Sequence, residues 1–308
     1  MGRQRLFAEN DWRVWGRSHD AIRFRFNKSN LSLSAFASYG QSSEKNFGSG
    51  YDLIQESGED YKFLHLIHYR QNFGNFEVAA LHVGDGFESV VQGQNGKLKM
   101  RYTSGGKFSW RKESYELSNY GYIQYGKTSA DQKILAWYLN PELTISAIRN
   151  TQIRMGAKLF SAQKDNKSAF NSFVPLYGVA YRFNGYMDHF IRFPDDIKSG
   201  GLTNPYILVD YTLNSKIKLA TSAHYFLTQQ NLIDGSVSEL KKPLGFENDL
   251  IFRYQPYKII GFEAGYSFLI PTRTLEFVKN TETNKFNQWA YVQLTLKLEF
   301  LRKKFENE

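Results

Sequence analysis

The sequence predicts an all-β fold, an antiparallel up-and-down transmembrane β-barrel of about fourteen strands. We expect it to form a single outer-membrane β-barrel domain over residues 1–308. Three observations support this prediction. Apolar and polar residues alternate along many segments, the chain is rich in aromatic residues without a long apolar run, and short connections alternate with long ones.

The segment Gln288–Phe300 shows the alternation most clearly. From Ala290 onward every second residue is apolar, and the residues between them are Tyr, Gln, Thr, Lys and Glu. A tilted strand needs about ten residues to cross the hydrocarbon core of a bilayer. Trp289 and Tyr291 stand at one end, where a membrane interface favours amphipathic rings. We interpret this segment as a membrane-spanning strand.

Composition excludes one class of membrane protein and favours another. Charged residues make up 22% and the mean hydropathy is −0.49, so no run of apolar residues is long enough for a transmembrane helix. A barrel remains possible because half of each spanning strand faces a polar lumen. The aromatic content of 16% is typical of strands with aromatic girdles.

Charge and cysteine content limit the possible functions. The net charge of +9 indicates nucleic acid for a soluble protein, but in a channel it favours anions. For the barrel we expect no nucleic-acid partner. The chain has no cysteine, which excludes thiol chemistry and argues against a disulfide-stabilised secreted domain.

The N-terminus shows no targeting segment. Met1 is followed at once by Gly2-Arg3-Gln4-Arg5, without the apolar stretch of a signal peptide. We therefore expect the signal peptide and the first strands of an outer-membrane protein to be absent from this sequence.

Each strand is predicted from alternation bounded by turn residues. In the first hairpin, for example, Ile22, Phe24 and Phe26 oppose Arg23 and Arg25, and a turn at Ser29-Asn30 leads into the returning strand. In chain order the strands are predicted at 1–7, Asp20–Lys28, Leu31–Tyr39, Tyr61–Gln71, Phe76–Gly84, Lys97–Thr103, about 107–127, Lys133–Ile145, Gln152–Ser161, Pro205–Leu213, Lys216–Thr228, Glu247–Gln255, Ile259–Ile270 and Gln288–Phe300.

Connection lengths indicate a membrane barrel rather than a sandwich. Short turns are predicted at 29–30, 72–75, 104–106, 149–151, 214–215 and 256–258, with long loops between them. Outer-membrane barrels have tight periplasmic turns and long external loops, whereas a soluble sandwich has no need for that asymmetry. The C-terminus then lies on the tight-turn side.

Basic residues recur on the predicted inward-facing positions, opposite the apolar face. They are Arg23, Arg25, Lys97, Lys99, Arg101, Arg154, Lys158, Lys216, Lys218 and Arg253. They form either a generic polar lumen paired with carboxylates (Glu77, Glu116, Asp210, Asp249 and Glu263) or an electropositive pore that favours polyanions.

Signals for catalysis are poor, and we expect no enzyme, no catalytic residue, no metal and no cofactor. His65 and His68 are three residues apart, which on a strand places their imidazoles on opposite faces. Asp195-Asp196 is typical of a solvated loop. The chain contains no phosphate-binding glycine motif and no nucleophile elbow.

Two stretches resemble the alginate export family of outer-membrane barrels, over essentially the whole chain. The first comprises Gly2–Leu6, Asp11–Gly16 and Asp20–Arg23. The second comprises Phe173, Pro175, Leu176, Tyr177, Gly178, Arg182, Gly185, Met187 and Asp188. Tyr181 stands where the family pattern has histidine, and the ending at Trp289 also fits. Motif positions carried over to this chain are Arg3, Asp11, Arg13, Arg23, Tyr177, Arg182 and Asp188.

The resemblance implies a monomeric barrel of about eighteen strands, of which the present chain supplies the C-terminal part. It also implies a constriction lined by arginine and lysine that conducts an anionic uronate polysaccharide outward. The segment Phe173–Asp188 lies in the longest predicted loop, and we expect it to fold into the lumen as a constriction or plug.

The sequence therefore favours a passive channel in the outer membrane of a Gram-negative bacterium. Its expected partners are anionic polysaccharide or small anionic solutes and outer-membrane lipid. The alternatives are a general or cation-preferring porin and a plugged structural or adhesive barrel. An embedded outer-membrane hydrolase and a soluble β-sandwich are weaker alternatives.

Overall fold

The computed structural model describes residues 6–7, 19–40, 61–94, 96–164, 168–178, 183–234, 238–281 and 286–297. It confirms the all-β fold and the strand number, because one sheet contains fourteen strands. Thirteen of them form an antiparallel meander in chain order, and a two-residue strand pairs parallel with one of them.

The strands are β1 (Ala21–Lys28), β2 (Leu31–Tyr39), β3 (Phe63–Phe73), β4 (Phe76–Glu88), β5 (Leu98–Lys112), β6 (Tyr115–Lys127), β7 (Lys133–Ile145), β8 (Thr151–Phe160), β9 (Ala169–Phe170), β10 (Leu202–Thr212), β11 (Ile217–Leu227), β12 (Leu232–Asp234), β13 (Ser238–Leu240), β14 (Pro243–Tyr257), β15 (Ile260–Pro271) and β16 (Asn287–Leu296). Strand β9 pairs with β7, and β12 and β13 form a separate hairpin. Strands β1 and β16 stand at the two ends of the sheet order.

One helix, α1 (Arg273–Lys279), lies between β15 and β16, and a 3-10 turn spans Asp195–Ile197. Among the residues that the structure describes, no helix is both long and apolar enough to cross a membrane.

All six tight connections lie at one end of the meander. They join β1 to β2, β3 to β4, β5 to β6, β7 to β8, β10 to β11 and β14 to β15. Ser29, Glu113 and Asn150 adopt positive φ in three of them, which lets the chain reverse within a few residues. The longer connections lie at the opposite end, so the predicted asymmetry is present. We call the two ends the turn side and the loop side.

The predicted turn at Gly105-Gly106 is wrong. Strand β5 continues through both glycines to Lys112, and the reversal occurs at Glu113-Ser114. The pair instead permits close contact between backbones, because a Cβ on Gly106 would lie 1.8 Å from the carbonyl oxygen of Ala79. One on Gly105 would lie 2.0 Å from the carbonyl oxygen of Gly121.

Two strand predictions at the termini need correction or lie outside the described residues. The predicted strand at 1–7 is not part of the sheet at Leu6 and Phe7, where Phe7 forms only an isolated bridge to Tyr177. Residues 1–5 lie outside the described part. The final strand ends at Leu296, and residues 298–300 likewise lie outside it.

The outer face of the sheet is apolar and exposed, unlike the surface of a soluble protein. On this face, Ile207, Leu250 and Leu294 are 50%, 49% and 55% exposed. The inner face carries fully buried polar side chains, such as Asn204 and Asp249, beside buried apolar ones. Side chains alternate between faces along each strand, so the apolar outer face follows directly from the alternating sequence.

The long connection between β8 and β10 packs against the inner face. We call residues 168–178 and 183–201 of this connection the inserted segment. Phe173, Phe190 and Phe193 from this segment are buried together with Phe160 and Phe226 from the strands. Ring centroids of Phe160 and Phe193 lie 4.6 Å apart, and those of Phe190 and Phe226 lie 4.8 Å apart. The apolar core of the molecule therefore lies between the inner face of the sheet and the inserted segment.

Candidate functional site

A chain of ion pairs lines the inner face near the turn side. Glu77 accepts from Arg70 and from Lys107, the latter at 2.8 Å. Lys107 lies 3.6 Å from Glu116, which also pairs with Arg111. The strands β3 to β6 bring these five residues together because their positions share one face of the meander. We call this group the turn-side belt.

The turn-side belt borders a cleft of about 420 Å³ that also contains aromatic rings. Tyr120, Tyr122 and His68 line it together with members of the belt. Cations beside aromatic rings supply both positive charge and an apolar surface, so the cleft can bind an anion that has an apolar face. Sequence reasoning missed Arg70, Lys107 and Arg111. Continuing the alternation of β5 past the glycine pair would have placed Lys107 and Arg111 on the inner face.

Two further ion pairs lie on the inner face, one between β8 and β10 and one between β14 and β15. The Arg154 guanidinium lies 2.9 Å from Asp210, and Arg253 Nε lies 2.7 Å from Glu263. Arg253 also donates to the hydroxyl of Tyr186 in the inserted segment at 3.3 Å. Both arginines were predicted pore residues.

On and beside β1 and β11, four predicted basic residues have no carboxylate partner among the residues that the structure describes. Arg23 and Arg25 lie on β1, opposite Phe36 and Ser34 of β2, and Lys218 lies opposite Arg253. Lys216 lies in the connection before β11. All four are exposed. Their charge is therefore available to solutes.

Two other predicted basic residues lie on the loop side. Lys97 is exposed in the connection before β5. Lys99, on β5, forms an ion pair with Asp131. Lys127 lies 3.0 Å from the same carboxylate. Hydrogen bonds from Lys99 and Lys127 hold the pKa of Asp131 below its usual value.

Asp85, Arg101 and Tyr177 form a latch between the sheet and the inserted segment. Arg101 Nε donates to Asp85 at 3.1 Å, and Asp85 is fully buried on β4. The hydroxyl of Tyr177 donates to the same carboxylate at 3.0 Å. Burial and the neighbouring carboxylate raise the pKa of Tyr177 well above its usual value, so its hydroxyl remains a donor.

A second contact fixes the segment against β6. The amide of Gln124 donates to the carbonyl oxygen of Val174 at 2.9 Å and accepts from the backbone N–H of Val174 at 2.9 Å. Gln124 is fully buried. Because both backbone polar groups of one residue are satisfied, the segment is held in a defined register there.

Lys158 is predicted as a pore residue, but it binds the inserted segment. Its ammonium donates to the carbonyl oxygen of Phe183 and lies 4.4 Å from the centroid of the Phe183 ring. The ring of Tyr206 lies 5.0 Å away on the other side. Only 7% of Lys158 is exposed. The rings of Phe183 and Tyr206 therefore help to shield its charge from solvent.

Glu247 holds the next part of the segment. Its Oε1 accepts from the backbone N–H of Met187 at 2.9 Å. Gly185 lies directly against the same carboxylate, where a Cβ would be 2.2 Å from Oε1. Beyond it, burial lowers the pKa of His189 to about 4, with Lys279 adding to the effect.

The residues of the family-like motif are distributed along these contacts. Phe173 belongs to the buried aromatic core, the carbonyl oxygen of Pro175 accepts from Gly178 N at 3.1 Å, and Leu176 packs against the core. Asp188 is half-buried with positive φ. Arg182 lies outside the described residues, as do Arg3, Asp11 and Arg13.

Nothing in the described part of the chain forms a cluster of three or more histidine, cysteine or acidic side chains suited to a metal. His65 and His68 do lie on opposite faces. The ring of His65 contacts His82 at 5.5 Å on the outer face, whereas His68 lines the turn-side cleft.

No family model and no curated protein matches the chain. A solved structure of the NanC porin in a rhombohedral crystal form is similar to it, with a TM-score of 0.34 and 12% sequence identity. The similarity covers 79% of this chain and 96% of the porin chain. It is too distant to assign a family, a substrate or a partner.

Proposed function

We propose that the protein is an outer-membrane β-barrel channel of a Gram-negative bacterium that passes anionic oligo- or polysaccharides passively. The exposed apolar outer face of the sheet carries this proposal. Apolar side chains cover the outer face on almost every strand, whereas monomeric soluble proteins rarely expose contiguous apolar patches larger than a few hundred Å². A bilayer is the environment in which such a face is stable.

The meander supports the same proposal. Its strands reach 13 residues in β7 and 15 in β14, which is long enough to cross a bilayer when tilted. Backbone groups within the hydrocarbon must all be paired, so a spanning sheet has to close on itself. The tight turns then face the periplasm and the long connections face outward.

Anion preference is supported by the charges of the inner face. Every carboxylate of the turn-side belt is shared with one or two cations, and Arg23, Arg25 and Lys218 add charge that no described carboxylate neutralises. Exposed cations arranged in series attract anions while letting each one leave again. Alginate or a related uronate polymer is the solute class that the motif resemblance suggests.

The test is the zero-current potential in a planar bilayer under a salt gradient, repeated with a uronate oligomer. We expect an anion-selective pore that the oligomer blocks reversibly. Replacing Arg23, Arg25 and Lys218 with glutamine should reduce the anion preference, whereas Lys133→Gln, which changes an exposed lysine on the outer face of β7, should leave it unchanged. A cation-selective or unselective pore would refute the anion proposal and indicate a general porin.

The inserted segment supports a second candidate, a barrel whose lumen is plugged. Its phenylalanines are buried against the strands, and the latch and the Gln124 contact bind it to β4 and β6. Absence of conductance from a folded sample would favour this candidate. Deletion of residues 173–188 should then open the lumen. If conductance is present and the deletion leaves it unchanged, the segment is neither a plug nor a constriction.

A further inference from the structure

Two buried carboxylates on β14 lack a compensating charge. Glu247 and Asp249 both point to the inner face and are fully buried. Among the described residues, no lysine or arginine forms an ion pair with either of them. Burying an ionised carboxylate without a partner is strongly unfavourable, and two adjacent ones add mutual repulsion. The pair is therefore stable only when a proton or a metal cation lies between the two carboxylates.

One oxygen of each carboxylate already accepts a hydrogen bond. Glu247 Oε1 accepts from the backbone of Met187 at 2.9 Å, and Asp249 accepts from the hydroxyl of Ser222 at 2.5 Å. The other oxygens, Glu247 Oε2 and Asp249 Oδ1, are buried without a hydrogen-bond partner. Each side chain thus presents one free oxygen.

A third oxygen in the same place also lacks a partner. Ser267 lies directly opposite Asp249 in the β14–β15 register, and its hydroxyl is fully buried and unpartnered. Side chains at opposed positions of an antiparallel pair have Cβ atoms about 5 Å apart. Glu247 is two residues from Asp249 on the same strand and the same face. The three free oxygens therefore converge on one small region.

We propose that Glu247, Asp249 and Ser267 bind a hard divalent cation, of the calcium or magnesium class. A single proton shared by the two carboxylates joins two of these oxygens, whereas one cation can bind all three. Oxygen ligands with one or two carboxylates and retained water are the coordination that these ions prefer. The cation also neutralises the buried charge.

The site lies directly against the inserted segment. Glu247 contributes one oxygen to the cation and the other to the Met187 N–H, and Gly185 leaves room for the carboxylate. Bound cation therefore fixes the rotamer of the side chain that holds this part of the segment. Removing the cation should loosen the segment at residues 185–187 before it affects the strands.

The test uses the full chain folded in detergent and treated with chelator, to which Ca²⁺, Mg²⁺ or the luminescent probe Tb³⁺ is then added. We expect saturable Tb³⁺ emission and a rise of several degrees in the melting temperature with Ca²⁺ or Mg²⁺. Asp249→Asn should abolish both effects. Asp210→Asn, which changes a lumen carboxylate paired with Arg154, is the matched control and should retain both.

Ser267→Ala keeps both carboxylates and tests the site if Asp249→Asn does not fold. It should weaken cation affinity severalfold, and an unchanged affinity would overturn the proposal. The proposal is also overturned if the wild-type chain shows no response to any of the three ions, or if stability in chelator varies with pH and is unaffected by added cation. The readouts need no conductance, so they are independent of the proposed channel function.

Discussion

The latch between Tyr177 and Asp85 gives the most direct test of how the inserted segment is held. Tyr177→Phe removes one hydroxyl that donates at 3.0 Å to a fully buried carboxylate, and the ring stays in place. Hydrogen bonds to charged groups contribute about 1.5–3 kcal/mol. Since about 1.4 kcal/mol is tenfold in an equilibrium constant, the undocked population should rise roughly 10- to 150-fold.

Thiol labelling can measure that population because the chain has no cysteine of its own. Ser172 is fully buried and lies five residues before Tyr177, so Ser172→Cys introduces a single thiol that is protected while the segment is docked. When docking is fast relative to labelling, the labelling rate is proportional to the undocked population. In the Ser172→Cys protein, adding Tyr177→Phe should accelerate labelling of the thiol by at least tenfold.

A matched control separates the latch from a general loss of stability. Tyr225 lies on the outer face and is exposed, and its hydroxyl forms no hydrogen bond with any described residue, so Tyr225→Phe should leave the labelling rate unchanged. Tyr177 does not hold the segment if Tyr177→Phe labels at the wild-type rate, or if both variants label faster to the same degree.

Two other predictions concern His189 in the inserted segment and Gly106 in β5. His189 has a pKa of about 4, below its usual 6.5, so stability that is present above pH 6.5 is lost as the pH falls toward 4. The loss is about 3 kcal/mol. His189→Gln should flatten the melting temperature between these pH values relative to wild type, and an identical pH profile would contradict the assignment. Gly106→Ala places a methyl group 1.8 Å from the Ala79 carbonyl oxygen and should cost about 1–3 kcal/mol or more in urea unfolding. Gly261→Ala meets nothing nearer than 3.9 Å and should be tolerated; equal losses would refute the steric argument.

The strands were predictable because their signal is local. Alternation along β1, β2, β7 and β16 predicts that each segment is a strand and on which face each of its residues lies. The glycine pair in β5 misled the prediction because glycine serves tight turns and close backbone contacts equally well. Only the neighbouring strands decide between these uses, and their approach is not visible in the sequence.

The contacts of the candidate site were not predictable, since they join distant parts of the chain. Tyr177 and Asp85 are separated by 92 residues, Glu247 and Met187 by 60, and Gln124 and Val174 by 50. Alternation places Asp85, Gln124 and Glu247 on the inner face, but it does not tell which of them meets the inserted segment and which remains open to solute.

Burial separates the charges of the inner face into two kinds. In the turn-side belt the Arg70 and Arg111 side chains are 53% and 70% exposed, so their pairs with carboxylates are weak and a passing anion can compete for them. Asp85 and Glu247 are fully buried, and breaking their contacts is expensive. In the proposed channel, the exposed charges near the turns should therefore act on ion preference, and the buried charges against the inserted segment should act on opening. Neutralising Arg70 and Arg111 should change ion selectivity without changing how often the pore opens, and Tyr177→Phe should have the reverse effect in single-channel recordings.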